Sequence, residues 1–405
     1  MRSRADKFEI SRSLARRPAN DQPLYEVYKN IMNKNSSSVS TLENSANITF
    51  QSKNMSSIPH VPIFIEDDSI KSGSQIILKC IRPDWNIDNI RYKLFTDGIT
   101  NKLIGLFNDS CLEDNAILIR VYGRNTEQII DRDAELKNLK LLHHAGLAPN
   151  VYATFENGIA YKYIQGETLT MTMVREPSIY KLVAKTMARF HQLDVSTISD
   201  KTNESELWSK MEQFAGLIPK RFSSDSTDQQ FRKIFTSGVE GLRSDIENIK
   251  MVLENIGSPI VFSHNDLLLN NIILQRDTGG NPVNVAFIDY EYAMLNYQAF
   301  DIANHFIEFA GVYEPDFSSH YPNIELQMDW LTFYLEEFLN ESLDQSDQRV
   351  AVLKDQVDKL VIASHLLWTF WALVQTEISK INFDFLRYAQ LRFEQYEKMK
   401  KLLNI

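Results

Sequence analysis

Two short apolar runs, residues 259–262 and 283–288, bracket the stretch His264-Asn265-Asp266-Leu267-Leu268-Leu269-Asn270-Asn271, and the second run ends in Asp289-Tyr290-Glu291-Tyr292. Runs of that length read as buried strands, and the Gly279-Gly280 pair before the second marks a turn. A carboxylate beside an apolar core is costly unless a cation or a donor offsets its desolvation. A loop would supply Asp266 and Asn271 from adjacent turns, and the following hairpin would bring Asp289 back beside them. Asn271 by itself would be an ordinary turn or cap residue. The joint pattern of Asp266, Asn271 and Asp289 is harder to account for that way.

Composition closes several alternatives. The chain has 405 residues, with 43 Lys+Arg against 53 Asp+Glu for a net charge of −10. At about 150 residues per domain this suggests two to three folding units. An acidic chain without a basic, aromatic stripe is expected to have no nucleic-acid partner. The two cysteines, Cys80 and Cys111, rule out a disulfide scaffold or a four-thiolate zinc site and fit a reducing compartment. With 23 Phe, 16 Tyr and 5 Trp the chain reads as globular. The most apolar stretch, residues 360–374, carries Ser364 and His365 and is too short to cross a bilayer, so no transmembrane segment is expected. The N-terminus holds Arg2, Arg4, Lys7, Arg12, Arg16 and Arg17 but no apolar segment, and Asp6 and Glu9 interrupt a transit-peptide pattern. A cytoplasmic location follows as the expectation.

Three regions are expected. Residues 33–58 hold eight Ser, five Asn and two Thr, too little apolar surface to offset ordering entropy, so 1–58 reads as a disordered tail. Residues 59–165 look strand-rich: Ile117-Leu118-Ile119-Arg120-Val121-Tyr122-Gly123 is a β-branched run, followed by a helical pattern over 129–145 and a strand over 159–164. Residues 166–405 look mostly helical, with helices at 178–193, 205–215, 240–256, 300–310, 325–341, 346–378 and 383–402. A small β-rich lobe before a large helical one is a bilobal α+β layout.

The spacing carries chemistry. An Asp, an Asn five residues on and a second Asp 18 residues further is the arrangement of phosphoryl transfer in eukaryotic-like kinases. Asp266 would stand beside the acceptor hydroxyl as base. Asn271 and Asp289, with Glu291, would hold Mg2+ against the phosphates of ATP.

The same residues, with Phe287-Ile288-Asp289-Tyr290-Glu291-Tyr292 and 296–306, resemble the choline/ethanolamine kinase family over roughly residues 75–400. The stretches 94–103 and 364–373 resemble its ethanolamine branch. That resemblance implies a protein-kinase-like fold that phosphorylates ethanolamine, with phosphoethanolamine feeding phosphatidylethanolamine synthesis. Thr96, Asp97, Gly98, Ile99, Thr100, Asn101 and Lys102 would cover the ATP phosphates, although they match neither a G-x-G-x-x-G nor a Walker loop. Arg120 would bind phosphate and Glu135 would pair with it. Bottom-up, the alternatives are a strand-edge arginine and a solvated helix face. Lys162, Tyr163 and Ile164 would form the hinge that reads adenine. His264 and His305 would brace the site.

The acceptor pocket would join an acidic wall, Asp301 and Glu308 at i and i+7 of one helix, to aromatic residues Trp368, Trp371 and Tyr388. Core packing is the alternative for the aromatics. Leu268 stands where choline kinases tend to have Gln, and Phe385 offers an aromatic face without a hydroxyl, which favours a primary ammonium. Choline or dual specificity is the alternative within the class, and a kinase-like binding module without turnover is the alternative outside it. Oligomeric state is not legible, and a homodimer stays open.

Overall fold

Residues 58–95, 101–110, 116–123, 126–194 and 204–403 are described by the structure, a computed structural model. All but the last residue of the expected tail, Thr96 to Thr100 of the expected phosphate loop, and Cys111 lie outside them.

The first lobe runs β1 (His60–Val61), helix α1 (Ile70–Ile81), β2 (Ile90–Phe95), β3 (Asn101–Asn108), β4 (Ala116–Tyr122), helix α2 (Arg132–His144), β5 (Val151–Phe155) and β6 (Gly158–Lys162). Its strands form one six-stranded sheet in the order β1-β5-β6-β4-β3-β2, antiparallel except for the β1/β5 pair. Strand side chains alternate faces. Ile117, Ile119 and Val121 accordingly enter a core with Ile77, Leu78, Trp85, Ile104 and Leu106. Leu118, Arg120 and Tyr122 take the other face. Arg120 lies opposite Leu103 on one side and Ile159 on the other, so it is an interior-strand residue, and the strand-edge reading is corrected.

Sequence patterning leaves α1 unread because Ile70, Ile76, Ile77 and Ile81 suggest a strand. Gly73 in its middle lowers helix propensity. It also lets the helix seat on Ile65, whose side chain lies 2.8 Å from where a Cβ would be. The α2 pattern is as expected, and Asp131 caps it by accepting the N–H groups of Asp133 and Ala134.

The second lobe begins with β7 (Glu167–Thr168) and continues through α3 (Pro177–His191), α4 (Leu207–Leu217), α5 (Asp225–Ile234) and α6 (Gly238–Leu253). Then come β8 (Ile260–Ser263), β9 (Ile272–Arg276), β10 (Pro282–Phe287), β11 (Met294–Tyr297), α7 (Gln298–Glu308), α8 (Phe317–His320), α9 (Ile324–Leu339), α10 (Gln348–Ile378) and α11 (Phe385–Leu403). β10, β9 and β7 form one antiparallel sheet, and β11 pairs with β8. The helices expected here are found within a few residues. α5 is missed because a mostly polar decapeptide buries only Asp228 and Phe231, and its start is fixed by Ser224 accepting from the N–H of Thr227.

The apolar stretch at 360–374 lies inside the long helix expected at 346–378. α10 has 31 residues and is long and apolar enough to cross a membrane, yet 89% of its most apolar window is buried inside the protein. Such burial marks a core helix. It packs along both α7 and α11.

Candidate active site

β8 delivers the chain into the loop His264-Asn265-Asp266, and a 3-10 turn at Leu269–Asn271 leads out into β9. Asn265 sits in the left-handed region at φ 64°, a conformation that Asn tolerates better than most residues. Its surroundings hold it there. The side-chain amide donates to the carbonyls of Ser263 (3.1 Å) and Tyr292 (3.0 Å), and Oδ1 accepts from Asn296 at 2.7 Å. Its own carbonyl accepts from Asn304 Nδ2 at 3.1 Å. His264 Nε2 meets the Ile288 carbonyl at 3.0 Å and must donate, which leaves Nδ1 to accept from the N–H of Asp266 at 3.4 Å. His264 orients the loop, as expected, and His305 does likewise at the Leu267 carbonyl.

Asp301 requires a correction. It is fully buried at the start of α7, and its oxygens accept the N–H groups of His264 and Asn265, both at 2.7 Å, and His191 Nε2 at 2.9 Å. It therefore fixes the loop backbone and gives no wall to an amine. Burial works to raise its carboxyl, but His191, His264 and the backbone donors outweigh that and hold it below the ordinary range. Sequence reasoning missed both His191 and Asn265.

Asn271 donates to the Asp266 carbonyl at 2.8 Å, which fixes the amide and leaves its oxygen available to a ligand. Asp289, just past β10, is also left-handed (φ 65°) and accepts from Arg120 Nη1 at 2.7 Å. The other arm of Arg120 pairs with Glu135. Glu135 is buried, so its solvated-face reading is also corrected. Arg132, unread in the sequence, donates to Glu135 at 2.9 Å and to Glu291 at 3.1 Å, and Asn101 donates to Glu291 at 3.2 Å.

Lys102 departs from expectation. It neighbours Asn101 in β3, so alternation turns it to the opposite face of the sheet, where it pairs with Asp67 at 3.1 Å.

Ligand oxygens of Glu135, Asp289 and Glu291 lie within 4.8 Å of one another. Hard oxygen donors from carboxylates, with the free Asn271 oxygen nearby, suit Mg2+. Electrostatics point the same way. Burial, then Asp289, push the Glu291 carboxyl up to about 7. Burial, with Asp289 and Glu308 behind it, holds Asp266 well above the carboxylate range.

Of the other residues expected at an acceptor wall, Glu308, Trp368, Trp371 and Tyr388 lie buried on three helices. Glu308 closes α7 and is 2% exposed. From α10, Trp368 Nε1 donates to Asn304 Oδ1 at 2.8 Å and Trp371 Nε1 to Tyr292 Oη at 2.7 Å. The two indoles meet edge to face with centroids 5.4 Å apart, and Phe385 lies 5.7 Å from Trp371. Tyr388 comes from α11, and Arg392 one turn on was missed, although the i, i+4 spacing places it on the face of Tyr388. Of the three residues expected at a hinge, Lys162 N–H donates to the Asn150 carbonyl and Tyr163 N–H to the Ala116 carbonyl, while the Ile164 N–H has no backbone partner among the described residues.

The choline/ethanolamine kinase family model matches residues 92–397. The chain is 41% identical to human ethanolamine kinase 1 over 349 residues, covering 85% of this chain and 75% of the human protein. It is 42% identical to rat ethanolamine kinase 2, covering 85% of each. Among solved structures, a Plasmodium vivax ethanolamine kinase superposes with a TM-score of 0.70 at 27% identity, covering 82% of this chain and 89% of that one.

Proposed function

The chain belongs to the choline/ethanolamine kinase family, and on that footing we propose that it transfers the γ-phosphoryl group of ATP to the hydroxyl of ethanolamine. It is a kinase with an alcohol acceptor. The observation that carries the reading is the junction at Asp266: a carboxylate whose loop is clamped by Asp301 and Asn271, between the Arg120–Asp289 pair and the Glu308 wall.

Asp266 orients the ethanolamine hydroxyl and takes its proton as the oxygen attacks the γ-phosphorus. The bond from that phosphorus to the bridging oxygen of ADP breaks, and ADP and phosphoethanolamine leave. Asn271, Asp289 and Glu291 would hold Mg2+, which would neutralise charge on the polyphosphate. Arg120, kept in place by Glu135, adds fixed positive charge where negative charge shifts during transfer. The Ile164 N–H, without a backbone partner among the described residues, meets the adenine edge. Glu308 receives the substrate ammonium, and Trp368, Trp371 and Tyr388 enclose its carbons.

Choline is the second reading, favoured by the Trp368, Trp371 and Phe385 rings, whose faces also suit a quaternary ammonium. The test is ATP consumption with ethanolamine and choline side by side, with and without Mg2+, for wild type and Asp266→Ala. Mg2+-dependent turnover of ethanolamine that collapses in the variant supports the reading. No turnover of either amine by folded protein overturns it.

A further inference from the structure

Arg392 has no exposed surface, an uncommon state for an arginine. Its Nη1 donates to Glu308 Oε1 at 3.1 Å and to Tyr388 Oη at 3.2 Å. Its Nη2 donates to the Ser364 carbonyl at 3.2 Å and to Ser364 Oγ at 2.9 Å. Ser364 Oγ in turn donates to Asn304 Oδ1 at 2.7 Å, and Asn304 holds the carbonyl of Asn265, the residue before Asp266. One guanidinium thus joins the acceptor wall on one arm and, through two side chains, the base-bearing loop on the other.

A buried ion pair is a poor way to stabilise a core, since apolar residues of the same volume do as well or better. Arg392 Nε has no hydrogen-bond partner among the described residues, so the group is seated by its two terminal nitrogens alone. Glu308 gives only Oε1 to it, and Oε2 has no hydrogen-bond partner among the described residues.

We propose that Arg392 is a positioning residue for the acceptor: it keeps Glu308 a carboxylate with one oxygen free for the substrate ammonium, and it fixes that oxygen in register with Asp266. The proposal rests on the amino-alcohol reading above. Burial pushes the Glu308 carboxyl above its ordinary range, and Arg392 pulls it back. The other titratable groups around the pair are Tyr388 on α11, His365 on α10 and Asp266 on the loop. None of them replaces the positive charge of Arg392. Without it nothing opposes the effect of burial, so the Glu308 carboxyl is held further above its ordinary range and the charged form is favoured only as the pH rises.

The test compares full-length wild type, Arg392→Met and Arg392→Lys from about pH 6 to about pH 9. It reads KM for ethanolamine, KM for ATP, and thermal protection by ethanolamine, by choline and by ATP with Mg2+. In the Met variant KM for ethanolamine should rise about tenfold or more at neutral pH and fall back as pH rises, with KM for ATP unmoved. The Lys variant, which keeps the charge but not the two-armed reach, should show a smaller rise with little pH dependence. An unmoved ethanolamine KM, or a rise equal at every pH and shared by ATP, overturns the proposal. If the Met variant shows no nucleotide protection it has not folded, and the Lys variant decides: wild-type KM overturns the proposal, and a raised ethanolamine KM with normal ATP KM supports it. A wild type that neither turns over nor is protected by either amine overturns the amino-alcohol reading and this proposal together. Wild-type amine binding with unmoved variants overturns the role of Arg392 alone.

Discussion

Arg120, from an interior strand of the first lobe, donates to Asp289 of the second lobe at 2.7 Å. Asp289 makes this contact from a left-handed backbone conformation, φ 65°. Two arms are needed, because Glu135 occupies the other side of the guanidinium. A lysine has one charged nitrogen and no planar fork. Arg120→Lys should therefore lower kcat/KM for ATP by roughly 10²- to 10³-fold, near the loss expected for Arg120→Met. Steady-state kinetics on both variants check this.

Asp266 is expensive to bury, and in the proposed mechanism it is needed for chemistry alone. Asp266→Asn removes a carboxyl that its surroundings hold well above the ordinary range. Turnover should fall by roughly 10²- to 10⁴-fold while the melting temperature stays level or rises. Parallel activity and melting measurements separate the two effects, and a lower melting temperature would contradict the account.

Asp301 should behave in the opposite way. Asp301→Asn puts an amide where three donors require an acceptor, and about 3–5 kcal/mol of stability should be lost. Its folded carboxyl lies below the ordinary range. The contribution is therefore complete above the unfolded value of about 3.9 and is lost as pH falls through the lower folded value. Denaturant unfolding at about pH 6 and about pH 3 should show the gap between wild type and variant narrowing in acid.

Glu291 is held by Asn101 and Arg132 from the first lobe. Glu291→Gln keeps the shape and removes the charge. The Mg2+ concentration needed for half-maximal nucleotide binding should rise by roughly 10- to 100-fold. A Mg2+ titration of a fluorescent ATP analogue would read it without turnover.

What could be read in advance follows from how local each fact is. Asp266, Asn271 and Asp289 sit on one loop and one hairpin, so their spacing alone brings them together. Glu308, Trp368, Trp371 and Tyr388 are grouped in advance by the family likeness and not by spacing, because they come from three different helices. Asp301 was misread because an acid in the first turn of an amphipathic helix looks like half of a wall. Its true partners are backbone N–H groups of a loop 36 residues away in the chain, and no periodicity shows where a helix end will dock. Lys102 failed for a smaller reason: the strand begins at Asn101, so alternation applies there and turns Lys102 to the far face. Arg392 was passed over because an arginine in a polar C-terminal helix usually faces water.

α10 carries Trp368 and Trp371, proposed to line the acceptor site, on a helix long and apolar enough to cross a membrane. The same residues that shape the pocket are thus part of a segment that water does not tolerate. Any opening wide enough to release the pocket from α7 and α11 also exposes a long sticky surface, and chains in that state associate faster than they reclose. Heat should then silence the enzyme by clumping, with a half-life that shortens as the protein is concentrated. Ligands that fill the pocket would act as preservatives.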